Sequence, residues 1–318
     1  MSTTLNLAPP PTNRPTTGWL AAAGAVAIWG GWIVFTRKAV AHAMDSNEIA
    51  LLRFGIPMVL LAPVCLRIGI WPRGMTIPRA LGLLGSGAPF TLLAAAAMRS
   101  VPAAEVGPLL PGFMPLVVAL LSAIVFGEKL GALRWGGAAL VACGVLAIVG
   151  VDFRGGLAGH ALLMTAACEW AIYTLVFKRS GLTAIESTAL VALWSTLIAL
   201  PYGVPALLAH IEAGGLRDMA FQALLQGVLS GVVAIVLYGV AIERLGSSRA
   251  AAPVALVPGL AAVLAIPVNG EWPTPIGWLG VCTATIGVAL LSGLGDALVG
   301  SIRSGRPLDP KASALGPN

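Results

Sequence analysis

Uncharged apolar runs of about twenty residues alternate along this chain with short segments rich in Pro, Gly and charge. As a helix rising 1.5 Å per residue, a run of that length crosses the roughly 30 Å hydrocarbon core of a bilayer. With Pro, Gly and charge as punctuation, the pattern predicts ten spans at approximately 19 to 40, 49 to 70, 80 to 98, 105 to 126, 132 to 151, 158 to 177, 185 to 209, 219 to 241, 248 to 268 and 276 to 299. The connections between them are short. PPPTNRPTTG before Trp19 and RSGRPLDPKASALGPN after Ile302 are polar and Pro-rich, so residues 1–18 and 301–318 are expected to be disordered tails. No separate soluble domain fits between them.

Composition turns this pattern into a class. Of 318 residues, 58% are hydrophobic and 10% charged, against about a quarter charged in a soluble domain. Too few charges remain to coat a water-soluble globule, so the lipid bilayer is the main solvent. The net charge of +6 reflects basic residues in short connecting segments, which topology explains better than a nucleic-acid partner. If the amino terminus is cytoplasmic, the outer segments hold Arg37, Lys38, Arg99, Arg154 and Arg217 of the 19 Lys and Arg, Arg53 falls inside the second span, and the rest lie in inner segments. That bias puts both termini in the cytoplasm. Trp19, Trp71, Trp135, Trp272 and Trp278 sit near span ends, where interfacial tryptophans belong.

The first span is longer than a signal-peptide core, and Arg37-Lys38 separates it from the small residues Ala41 and Ala43, so it is expected to be retained. Cys65, Cys143, Cys168 and Cys282 are scattered in apolar runs without a C-x-x-C pair, and His42, His160 and His210 lie far apart at run ends. Neither a metal site nor a disulfide frame is suggested. No cofactor is expected.

One phrase occurs twice. GEKLGALRWGGAALVACGVLAIVG begins at Gly127 and GEWPTPIGWLGVCTATIGVALLSG at Gly270, 143 residues later. Aligned without a gap, they share Gly127-Glu128 with Gly270-Glu271, Trp135 with Trp278, Gly137 with Gly280, Gly144-Val145 with Gly287-Val288, and the closing glycines. The copies fall at spans 4 to 5 and 9 to 10, so each repeat holds five helices, 19–151 and 158–300. An odd number reverses orientation. The fold class expected is an all-α integral membrane protein of ten transmembrane helices in two inverted five-helix repeats, an arrangement many secondary transporters use. A weaker echo at an offset of 141 pairs Trp29 with Trp170 and Arg37-Lys38 with Lys178-Arg179.

Ten spans in two repeats, Ile28-Trp29-Gly30-Gly31 in span 1, and prolines twelve residues before the turn glycines (Pro115 before Gly127, Pro258 before Gly270) resemble the drug/metabolite transporter superfamily, specifically its EamA-type permeases. The match covers residues 18 to 300. The second copy departs in its loop, where Trp272-Pro273-Thr274-Pro275 replaces Lys129-Leu130-Gly131-Ala132. The resemblance implies a bacterial cytoplasmic (inner) membrane protein whose commonest cargo is amino acids.

Pro- or Gly-interrupted spans in corresponding positions point to a transporter's binding site. LLPGFMPLV holds Pro111, Gly112 and Pro115; APVALVPGL holds Pro253, Pro258 and Gly259. Each proline frees a carbonyl, tolerable at membrane depth only against protein or a wet cavity. A kink that improves packing is the alternative. In span 6, Thr165, Glu169 and Tyr173 recur at spacing four and form one polar stripe. Intramembrane carboxylates normally face a bundle interior or a water-filled path, so the stripe is expected to line the cavity, with a hydrogen-bonding pin between helices as the alternative. Gln222, Gln226 and Ser230 form a similar stripe in span 8 and serve either a polar solute or interhelical bonds. Trp29, Trp32, Trp170, Trp194 and Tyr238 lie deeper than interfacial positions and suit an amphipathic cargo or ordinary core packing. Arg53 lies close to the outer end of span 2, where it either offers the one candidate cavity cation or snorkels to the interface.

These features favour a secondary transporter exporting small metabolites, foremost amino acids, by alternating access through a central cavity. A proton-coupled exporter of lipophilic cations using Glu169 is the second reading, weakened because the opposing position in span 1 is apolar. No Walker A pattern is present to supply ATP energy. No cluster of His, Asp or Cys suggests an enzyme. An anionic sugar-nucleotide cargo would need cavity cations, for which Arg53 is the sole candidate. The expected partners are a small-molecule substrate and lipid, and the state a monomer or weak homodimer.

Overall fold

The computed structural model describes residues 15–151 and 156–293. Most of both expected tails, and Arg154 with the rest of 152–155, lie outside the described residues. Every regular element among those described is helical: α1 (Pro15–His42), α2 (Ser46–Leu60), α3 (Ala62–Ile68), α4 (Ile77–Leu84), α5 (Ala88–Ala97), α6 (Ala103–Gly107), α7 (Met114–Phe126), α8 (Ala132–Val151), α9 (Gly156–Lys178), α10 (Ala184–Glu212), α11 (Leu216–Gln222), α12 (Ala234–Leu245), α13 (Ser247–Val254), α14 (Val257–Asn269) and α15 (Pro275–Leu291). Wider π-helical turns at Pro108–Gly112 and Ala223–Val233 join α6 to α7 and α11 to α12.

Among the described residues, seven helical segments are long and apolar enough to cross a bilayer. The second expected span is instead a broken pair, α2 and α3, bent by 66° at Leu61. Pro57 and Pro63 flank the break, and neither can donate a backbone hydrogen bond. The ninth is split into α13 and α14, and α14 and α15 are shorter apolar helices. The count by length therefore falls below ten at the second, ninth and tenth expected spans, and proline lies at the break only in the first two of these. Large apolar side chains on the outer surface, such as Leu66, Ile124, Leu146 and Leu279, are more than 60% exposed. Polar Gln226, Ser195 and Thr36 are fully buried. This is the inside-out distribution of a multi-pass membrane protein.

The repeated phrase has two structural uses. Gly127 (φ +67) and Gly270 (φ +69) end α7 and α14 in the left-handed conformation, which glycine adopts without a Cβ clash. The Glu128 and Glu271 amides then donate back to the Ser122 and Ala265 carbonyls and close both helices alike. Further along, α8 packs on α15. A Cβ on Gly137 would lie 2.8 Å from the Gly287 carbonyl oxygen, and one on Gly144 2.8 Å from that of Gly280. As α8 advances, its contacts on α15 retreat, so these equivalent helices are antiparallel. Small residues permit the backbone approach. The two interrupted spans also meet at Gly107, where a Cβ would lie 2.8 Å from the Pro258 Cα.

Candidate functional site

A cavity of about 490 Å³ lies among α1, α2, α5, α7, α9, α12, α14 and α15, with α8 and α13 each adding a residue to its border. Trp29, Trp32, Pro111, Pro115 and Tyr238, all expected near a substrate, are on its wall. Rings link across it: Trp29 meets Tyr238 edge-on at 5.4 Å, Trp32 stacks on Phe90 at 6.3 Å, and Phe90 meets Trp170 at 4.8 Å. A side pocket of about 150 Å³ shares Trp29, Arg53 and Trp170 with the cavity and adds Tyr173 and Ser230. Tyr173 lies 3.4 Å, oxygen to oxygen, from Ser187.

The span 8 stripe is committed to interhelical bonds. Trp32 Nε1 donates to Gln226 Oε1 at 2.7 Å, and Gln226 Nε2 donates to Thr36 Oγ1 at 2.7 Å and to Gln222 Oε1 at 3.1 Å. Gln222 in turn donates to the Phe35 carbonyl at 3.0 Å. Gln226 thus stands behind Trp32 and fixes it, outside the cavity lining. Gly112 and Pro258 are buried at the contact between the interrupted spans, and Gly259 faces Thr285. These three shape the wall from behind.

Span 6 is rotated relative to the expected stripe. Trp170, Thr174 and Lys178 line the cavity. Thr165 is exposed on the outer surface and returns its hydroxyl to the Ala161 carbonyl at 2.8 Å. Glu169 borders neither the cavity nor the side pocket, and its buried Oε2 has no hydrogen-bond partner. One residue is 100° on a helix, enough to exchange an aromatic face for a polar one.

Arg53 is the residue most misjudged by sequence. It does not snorkel: it is 9% exposed, borders both cavity and side pocket, and donates from Nη1 to Ser230 Oγ at 3.1 Å. Its guanidinium carbon is 4.7 Å from the Trp32 ring centroid, within cation–π range. A lone arginine in an apolar run was the available signal, and its position near a span end hid it.

The two ends of the cavity differ. At one, exposed Glu128, Arg134 and Lys178 border the mouth. Beyond the floor at Trp32 and Ile33 lies the other end, sealed off from this cavity by polar contacts, with a separate crevice of about 410 Å³ bordered by Glu105 and Glu271. There Arg37 Nε pairs with Glu271 Oε1 at 2.8 Å, its Nη1 donates to the Met98 and Arg99 carbonyls at 2.7 and 2.9 Å, and Glu271 Oε2 accepts from the Ala103 amide at 2.7 Å. Asp45 pairs with Arg99, and buried His160 with Glu105 at 2.7 Å. Burial acts upward on the Asp45 carboxyl, but hydrogen bonds from Asn47 and Arg99 outweigh it and hold the group below its usual range.

Comparison with known proteins agrees with this architecture. The EamA-like transporter family model matches twice, over residues 16–150 and 157–293. The chain belongs to that family, and is a transporter rather than an enzyme. A probable terminal-alkyne amino-acid exporter from Streptantibioticus cattleyicolor is 27% identical over 285 residues, covering 84% of this chain and 93% of that protein. A solved structure named only "Crystal structure of protein" shares the fold with TM-score 0.56 at 19% identity, covering 89% of this chain and 99% of that one.

Proposed function

We propose that this protein exports small metabolites, most of all amino acids, across the bacterial cytoplasmic membrane by alternating access. In this reading the chain crosses ten times, as inverted five-helix repeats over 19–151 and 158–300 related by an axis in the membrane plane. Both tails are cytoplasmic, nucleic acid has no part, and a monomer or weak homodimer suffices. The antiparallel contact of α8 with α15 supports the inversion, and the amino-acid exporter named above supports the cargo.

One observation carries the mechanism. Arg37 and Glu271 seal one end, while their repeat equivalents, Lys178 and Glu128, stand at the open mouth with no ion-pair partner among the described residues. In the opposite state Lys178 pairs with Glu128, and Arg37 releases Glu271. The two pairs join a basic residue to a glutamate at equivalent positions, so exchanging one for the other changes the energy little and keeps both states populated. With the termini inside, the open mouth faces the cytoplasm and loads cargo for export. A cation exporter driven through Glu169 loses support, because that carboxyl is not on the cavity wall.

The test is counterflow in proteoliposomes with a panel of radiolabelled amino acids and cationic dyes, with and without a pH gradient. Amino-acid movement without dye movement is expected; dye movement driven by the gradient with no amino-acid movement would overturn the reading.

A further inference from the structure

Arg53 sits two turns into α2, at a depth where a charged side chain is costly unless paired. Yet among the described residues its one hydrogen bond goes to a neutral hydroxyl, Ser230 Oγ, and no carboxylate lies within ion-pair distance. The acidic groups around the cavity are committed elsewhere or absent from its inner wall. Glu48, on the same helix, accepts from the Asp45 amide at 3.0 Å. Glu105 is held by His160, Glu271 by Arg37, and Glu128 lies at the mouth. A guanidinium carries five N–H donors, so most of those on Arg53 have no protein acceptor.

The group is nonetheless held in place. Trp32 stacks beneath it, Gln226 and Thr36 fix Trp32, and Ser230 takes one edge. What remains is a planar, pre-oriented fork of donors bordering a cavity whose inner wall includes the rings of Trp29, Phe90, Trp170 and Tyr238, with the charged Glu128, Arg134 and Lys178 at its mouth. Such a fork matches a carboxylate in bidentate geometry, and the ring walls match an apolar body. A lipophilic cation would meet like charge in a desolvated site.

We propose that Arg53 is the anchor for the cargo's carboxylate, making this cavity a site for small monocarboxylates with apolar side chains, amino acids among them. The proposal rests on the exporter reading and narrows its substrate class. The bound carboxylate supplies the counter-charge that the protein withholds, so the cavity binds most tightly when loaded with an anion or zwitterion.

The experiment uses the full chain in proteoliposomes and nanodiscs, with tritiated L-leucine as probe and L-propargylglycine, 4-methylpentanoate, L-leucinamide and tetraphenylphosphonium as competitors. Propargylglycine should compete with leucine, while leucinamide and tetraphenylphosphonium should be at least tenfold weaker because they lack the carboxylate. 4-Methylpentanoate should compete as well, because the site asks only for a carboxylate and an apolar body; its failure to compete would overturn the monocarboxylate class. Arg53→Gln should weaken leucine at least tenfold and abolish its protection against thermal unfolding, with the unliganded Tm unchanged or raised. Arg53→Lys should recover part of the affinity. If Arg53→Gln lowers the unliganded Tm but keeps leucine affinity, Arg53 is an interhelical pin; the anchor is overturned and the exporter reading stands. If the wild type moves tetraphenylphosphonium and no carboxylate, the exporter reading fails and the anchor with it.

Discussion

The sealed and open ends of the cavity use the same residue types at equivalent positions in the two repeats, yet differ in contact. At the sealed end a basic residue closing the first helix of its repeat, Arg37, holds the glutamate of the turn after the fourth, Glu271. At the open end Lys178 and Glu128 occupy those places and remain apart. The residues therefore do not decide which end is shut. Under the proposed alternating access, an inverted repeat would encode both gates at once, and the packing of one repeat against the other would select between them.

The largest effect is expected from breaking the sealed end. Glu271→Ala removes the partner of Arg37 and the acceptor of the Ala103 amide. Both side chains are under 20% exposed, so the loss should be roughly 1 to 3 kcal/mol. A cysteine at Ile33, on the cavity floor, should become reactive to a membrane-impermeant maleimide from the sealed side. Unchanged protection would show that the ion pair does not hold this end.

A smaller change should follow at the open end. Glu128→Gln or Lys178→Gln removes no existing contact, so Tm should stay within about 0.5 kcal/mol equivalent. Turnover should nevertheless fall severalfold, because the state in which the two pair becomes less populated. Glu128→Lys combined with Lys178→Glu should restore transport beyond either single change, a coupling readable in a double-mutant cycle. Additive losses would break the symmetry between the gates.

Asp45→Asn at the sealed end should have the least effect, below about 1 kcal/mol, since its pair with Arg99 is partly exposed. Because the folded carboxyl titrates below its ordinary range, its contribution is complete above the unfolded value. It is lost as pH falls through the folded one. Wild type and variant should therefore differ at neutral pH and converge only in acid below the usual carboxylate range, as read in thermal melts.

Sequence reading succeeded where a residue type has one structural use. Gly127 and Gly270 were legible because a helix ending in the left-handed conformation calls for glycine, and the interrupted spans because proline cannot donate. Thr165 and Glu169 misled because polarity marks a face without saying what lies opposite it. From α9 the cavity takes Trp170, Thr174 and Lys178 and the side pocket takes Tyr173, while Thr165 is left exposed on the outer surface. Gln226 was legible as polar but not as saturated, since its partners Trp32 and Thr36 lie 194 and 190 residues away.

The sequence alone determined that the chain lives in lipid, that it is built of two related halves, and that its fourth and ninth spans are interrupted. These follow from composition, spacing and the fixed chemistry of Gly and Pro. Only the tertiary structure decided which face of each helix meets the cavity, which gate is closed, and that Arg53 is buried without a counter-charge. Those outcomes depend on helix rotation and on contacts across more than a hundred residues, such as Arg53 with Ser230, and no local pattern carries that information.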